Sequence, residues 1–161
     1  MFDRFGEFDS HEEINELAEN LFNEGDLESI SVLAKENGID ADMVEAYVSG
    51  DTDQLCDVLD AALGKLEVEE KDLKPQELMS DWLDYLKSQC MENDELARAV
   101  RKKNKSLKGC IGALLVWSFG HQQPIDKEIL KAAKVNASRV TFGIPGMARA
   151  KQIIREYYLG K

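Results

Sequence analysis

Six cations fall within eleven residues of one stretch: Arg98, Arg101, Lys102, Lys103, Lys105 and Lys108. Such side chains bind anions. A guanidinium pairs with a carboxylate or phosphate as a fork, and an ammonium acts as a point charge. Cations are favoured near helix C-termini by the backbone dipole, which accounts for two or three of the six. The surplus reads as a binding surface. Its anion is nucleic-acid phosphate, an acidic patch on a partner, or the protein's own acidic half. Arg149, Lys151 and Arg155 are expected on the outward face of the last helix and complete the set of candidate binding residues.

Other chemistries find less support. His11 and His121 are far apart, and Cys56, Cys90 and Cys110 are widely spaced. Neither set has the spacing of a metal site, and three scattered cysteines fit buried thiols in a reducing compartment better than a disulfide frame. Asp and Glu are abundant, but no pair stands out by spacing or apolar context as a tuned acid and base. Gly143-Ile144-Pro145-Gly146 lacks the Gly-Lys-Ser/Thr ending and preceding strand of a phosphate loop. No catalytic residue, metal ligand or cofactor is expected. The chain reads as a binding protein, not an enzyme.

The 161 residues carry a net charge of −11, unevenly spread. Residues 1–95 hold 6 Lys+Arg against 28 Asp+Glu, and residues 96–161 hold 14 against 3. The halves therefore attract each other or face opposite partners. No apolar run approaches the roughly 20 residues of a membrane helix. The first residues lack the basic and apolar regions of a secretory signal. A cytoplasmic location without membrane contact is expected.

Periodicity predicts the elements that carry these groups. Ser10, three before Glu13, opens a helix with Ile14, Leu17, Ala18, Leu21 and Phe22 on one face. Asp26 and Asp40 open two more, closed at Asn37-Gly38 and Gly50. A fourth is expected from about Thr52 to Leu66. Residues 67–75 read as a linker, and Pro75 as the first turn of the next helix. Asp94 is expected to cap the short basic helix. Ser106 opens an apolar helix, with Leu107, Ile111, Leu114 and Leu115 inward and Gly109 and Gly112 admitting a close neighbour. Pro124 is expected to begin another helix, residues 139–143 the only short extended piece, and Met147 to face inward on the last helix. The fold class is mainly α, in two small helical subdomains: residues 1–66, acidic, and residues 76–161, with a basic surface.

Ala34, Gly38, Ile39, Val44 and Tyr47 fall where a helix-turn-helix places small, turn and core residues. Its second helix offers Asp40, Asp42 and Glu45 where a DNA reader offers Arg, Lys, Gln or Asn, so phosphate would be repelled. The pattern is expected to be a packing unit.

The segments AVRKKNKSLKGCIGALLVWSF, PIDKEIL and RVTFG…MARAKQIIREYY resemble the C-terminal pattern of the PcfK-like family of conjugative and other mobile elements. The likeness covers residues 97–158. It rests on a lysine-containing approach to a Gly-Cys helix (Lys108, Gly109, Cys110), a short helix after a proline, and a final helix ending in paired tyrosines. The family includes anti-CRISPR inhibitors of the type II Cas effector nuclease. The resemblance implies a stoichiometric, non-catalytic inhibitor in a bacterial host cell, whose partner is that effector with its guide RNA. Carboxylates would mimic a duplex in the effector's positively charged channel, or the basic patch would contact guide RNA or protein. The alternative is a nucleic-acid-binding accessory of a mobile element, touching nucleic acid through the basic C-terminal half. A third reading has the two halves docked on each other, their charges satisfied internally.

Overall fold

A computed structural model describes residues 2–161. Among the described residues the chain forms nine helices and one two-stranded sheet: α1 (His11–Asn23), α2 (Leu27–Glu36), α3 (Ala41–Ser49), α4 (Val58–Leu73), α5 (Leu78–Glu92), α6 (Asp94–Arg101), α7 (Leu107–Gly120), β1 (Gln123–Pro124), α8 (Lys127–Ala132), β2 (Thr141–Phe142) and α9 (Met147–Leu159). The fold is mainly α, as the periodicity predicts.

Helix starts follow their caps. Ser10, Asp26, Asn93, Ser106 and Asp126 each accept a bond from a backbone N–H of their helix's first turn. Asp57 and Asp60 form a full capping box, so α4 begins at Val58 and not near Thr52. Asn93, one residue before the expected Asp94, caps α6. Glu13 reaches back to the N–H of Asp9 instead of Ser10, drawing the N-terminal segment against α1.

Two apolar cores share α4. One gathers α1–α3 around Ile14, Ala18, Ile30, Leu33 and Leu55, with Phe5 and Phe8 packed on it, and reaches Ala61. The other starts at the next residue, Ala62, and gathers α5, α6, α7 and α9 around Leu83, Leu86, Val100, Leu114 and Ile154. The three cysteines are buried in these cores, and burial pushes their thiols up to about 12. They are inert at neutral pH.

The linker expected at 67–75 is corrected. Residues 67–73 are the last two turns of α4. Their inward position is held by a buried carboxylate, Glu69, which hides the stripe from a hydrophobicity pattern. The break falls at residues 74–77, where Lys74 and Glu77 take positive φ around Pro75. Accordingly α5 begins at Leu78, not at the proline.

The C-terminal part departs in a second way. Pro124 lies in β1, paired antiparallel with Thr141 of β2, and α8 starts only after Asp126. Two short strands stand where one extended piece was expected. From 126 to 139 every residue is exposed except half-buried Leu130. The segment forms an arm, tied at its base where Ile125 N–H donates to Val140 O at 2.9 Å and Thr141 Oγ1 donates to Gln122 Oε1 at 2.8 Å.

A close backbone approach joins α2's end to α4. A Cβ on Gly64 would stand 2.2 Å from Asn37 O and 2.9 Å from Gly38 O. Gly38 also needs its φ of +68°. Alanine normally stabilises a helix interior by about 1 kcal/mol over glycine. At this crossing the sign reverses, and Gly64→Ala should destabilise by about 2 kcal/mol through forced separation. Urea unfolding of the variant decides it: a gain in stability would show that α2 and α4 do not meet here.

Candidate binding surface

The structure divides the nine candidate cations. Residues 98–108 lie across α4 and α1, and most of their charge is met from within. Arg98 Nη1 donates to Glu12 Oε1 at 2.8 Å. Lys103 N–H donates to Asp9 Oδ1 at 2.8 Å, and its ammonium stands 3.9 Å from Glu13. Lys108 pairs with Asp72 at 2.6 Å. Lys105 donates to Tyr157 O and lies over that ring, 4.8 Å from its centre. Lys102 alone of the six is exposed with no side-chain partner among the described residues.

Arg101 is a correction. It is only 1% exposed, so it is no part of a surface. It ends α6 beneath the N-terminal segment, where Nη2 donates to Asn37 Oδ1 at 2.7 Å and the Phe2 ring lies 5.7 Å away. Burial pulls its pKa down, and the charge of Glu7 opposes that shift. An arginine remains charged at neutral pH either way. On α9, Arg149 bonds Gln152, Lys151 lies over the Tyr85 ring at 5.0 Å, and Arg155 points outward. Of the first group, Lys105 reaches α9, at Tyr157.

The organising residue is one the sequence pattern does not single out. Lys65 is 0% exposed. Its ammonium donates to Lys102 O and Lys105 O, both at 2.7 Å, and pairs with Glu7 at 2.6 Å. It thus caps the C-terminal end of α6 from across the fold, where carbonyls lack helical partners. Glu69, one turn further along α4, accepts the Leu107 N–H at 2.9 Å and holds the start of α7. Its pKa is raised, chiefly by burial. The signal available in the sequence was spacing: Leu66, Lys65 and Glu69 share one side of a helix, and a charge amid inward positions is unusual.

The apolar helix also divides. Leu107, Cys110 and Leu114 are buried, and Gly109 gives way to the Tyr157 hydroxyl. Gly112 has open space beside it, so no neighbour demands it. Leu115 faces outward, against expectation, with Val116 at 75% and Phe119 at 76% exposure. Ile129, Val135, Phe142, Ile144 and Met147 are exposed as well, Met147 likewise against expectation. Lys127, Lys134 and Arg139 stand on the arm without an acidic partner among the described residues.

On α1 to α3 the carboxylates of Glu16, Glu19, Glu24, Glu28, Asp42 and Glu45 are exposed and have no basic partner among the described residues. No three His, Cys, Asp or Glu side chains among the described residues are grouped as metal ligands. No described helix is long and apolar enough to cross a membrane. The chain matches no family model, no curated protein and no solved structure.

Two measurements separate buried from exposed charge. Lys65→Met, which strands Glu7 and two carbonyls, should cost about 3–5 kcal/mol. Arg98→Ala, at a half-exposed pair, should cost less than about 1 kcal/mol. Equal costs in urea unfolding would remove Lys65 from its central place. The second is acid dependence. The hydrogen bond from Arg98 lowers Glu12 from 4.5 to about 2. A depressed carboxyl stabilises above its unfolded pKa and loses that contribution as pH falls through the folded one. Stability from this pair should fade between pH 4.5 and about 2, and Arg98→Ala should flatten that part of the profile.

Proposed function

We propose that the protein is a non-catalytic inhibitor that binds a type II CRISPR effector nuclease and blocks it by occupancy. The partner comes from the resemblance over residues 97–158. The observation that carries the mode of binding is the unequal fate of the charges. The basic cluster is largely neutralised inside the fold, whereas Glu16, Glu19, Glu24, Glu28, Asp42 and Glu45 have no basic partner among the described residues. A rigid helical face of unpaired carboxylates suits the positively charged channel that holds the guide–target heteroduplex. This ranks duplex mimicry ahead of a grip by residues 98–108.

The arm favours a second reading, a nucleic-acid-binding accessory of a mobile element. Lys127, Lys134 and Arg139 are unpaired there, and the exposed rings of Phe119 and Phe142 are of the kind on which bases stack.

Target cleavage by guide-loaded type II effectors, titrated with the protein, tests the first reading. Inhibition should saturate near one equivalent. Glu16→Lys with Glu19→Lys should weaken it about tenfold or more through like-charge repulsion, and Lys103→Glu should change it little. Unchanged cleavage across several effectors would sink the proposal. In that case a DNA or RNA mobility shift, lost with rising salt and with Lys134→Glu and Arg139→Glu, would establish the accessory role.

A further inference from the structure

A cavity of about 190 Å³ lies between the start of α1 and the end of α6. Asp9, Ser10 and His11 line one side, and Arg98, Arg101 and Lys102 the other. Arg101 is the unexplained group. Its side chain is buried, yet among the described residues Nη2 alone has a hydrogen-bond partner, and Nε and Nη1 are without one. Buried polar groups are nearly always paired, and an unpaired one on a charged group is costly. The two free donors lie on different edges of the guanidinium, so each can donate singly to an oxygen of an anion.

We propose that this cavity binds a small oxyanion, a phosphate group, anchored by Arg101. Lys102, exposed and without a partner among the described residues, adds a second charge at the rim; Arg98 beside it is already paired with Glu12. The 13-residue α1 presents its positive end to the same space. Asp9 also lines the cavity, its Oδ1 already engaged by the Lys103 N–H at 2.8 Å, while the charges of Glu7, Glu69 and Glu13 bear on Arg101 and Glu12 holds Arg98. The volume is below the roughly 300 Å³ of a drug-sized pocket, so it takes a phosphate group and not a whole nucleotide. The group is either free phosphate or the terminal phosphate of a longer molecule.

Amide and arginine side-chain NMR of the full chain distinguishes these. Sodium phosphate, against sodium chloride at equal ionic strength, should give saturable shifts at His11, Arg98, Lys102 and the Arg101 Nε–H. Lys102→Glu, at an exposed position, should weaken binding about tenfold. Arg101→Lys keeps the charge but loses the Nε–H and Nη1–H donors, and should weaken it as well. A 5′-phosphorylated dinucleotide binding more tightly than phosphate would assign the end of a nucleic acid, and equal binding would assign the free ion. Absence of saturation, shifts spread over Lys127, Lys134 and Arg139, or an undiminished affinity in Lys102→Glu would each overturn the site.

Discussion

A single buried ammonium ties the two halves of this molecule together. Lys65 sits in the middle of α4, where one apolar core gives way to the other. From there it holds two carbonyls beyond the end of α6 and the carboxylate of Glu7. Taking an ammonium out of water is costly and is tolerated only when its donors are met. The arrangement therefore fixes three things at once: the path of residues 102–105, the position of the N-terminal segment, and the angle at which α6 meets α4. Glu69 extends the same logic one turn on by fixing the start of α7.

The charge asymmetry follows from this packing. An acidic half and a basic segment lie against each other, and the pairs Arg98–Glu12, Lys103–Glu13 and Lys108–Asp72 border the buried centre. Exposed pairs of this kind contribute little individually. Their effect is better described as orientation: they guide the segment over Lys65 and keep like charges apart. What remains outside is the set Glu16, Glu19, Glu24, Glu28, Asp42 and Glu45, without a basic partner among the described residues, and an arm bearing apolar and basic residues.

That arm has the opposite character. It leaves the body at α7 and returns to α9, and between its two short strands almost nothing is buried. It is tied at its base by the Gln122, Thr141 and Ile125 hydrogen bonds and at Gly143, whose backbone lies against Ser118 O. An apolar surface held out from a body in this way commonly marks an interaction site. The body is closed by polar ties, while the arm is left open.

Much of the fold was legible in the sequence. Ser10, Asp26 and Ser106 marked helix starts because an N-cap acts over three residues. The stripes of α1, α2 and α5 were visible because their inward positions are apolar. The candidate surface was less legible. Residues 98–108 showed an excess of cations, but position along the chain does not say which cation meets which carboxylate. Arg98 and Glu12 are 86 residues apart. Arg101 and Lys65 are buried because distant carbonyls, carboxylates and Asn37 converge on them, and no local pattern records that convergence. Glu69 disguised the end of α4 as a linker for the same reason. The sequence by itself determined most of the helices and the charge of each half, since both depend on neighbours in the chain. Only the tertiary structure decided which charges are spent inside and which remain for a partner, because burial and pairing depend on groups that folding alone brings together.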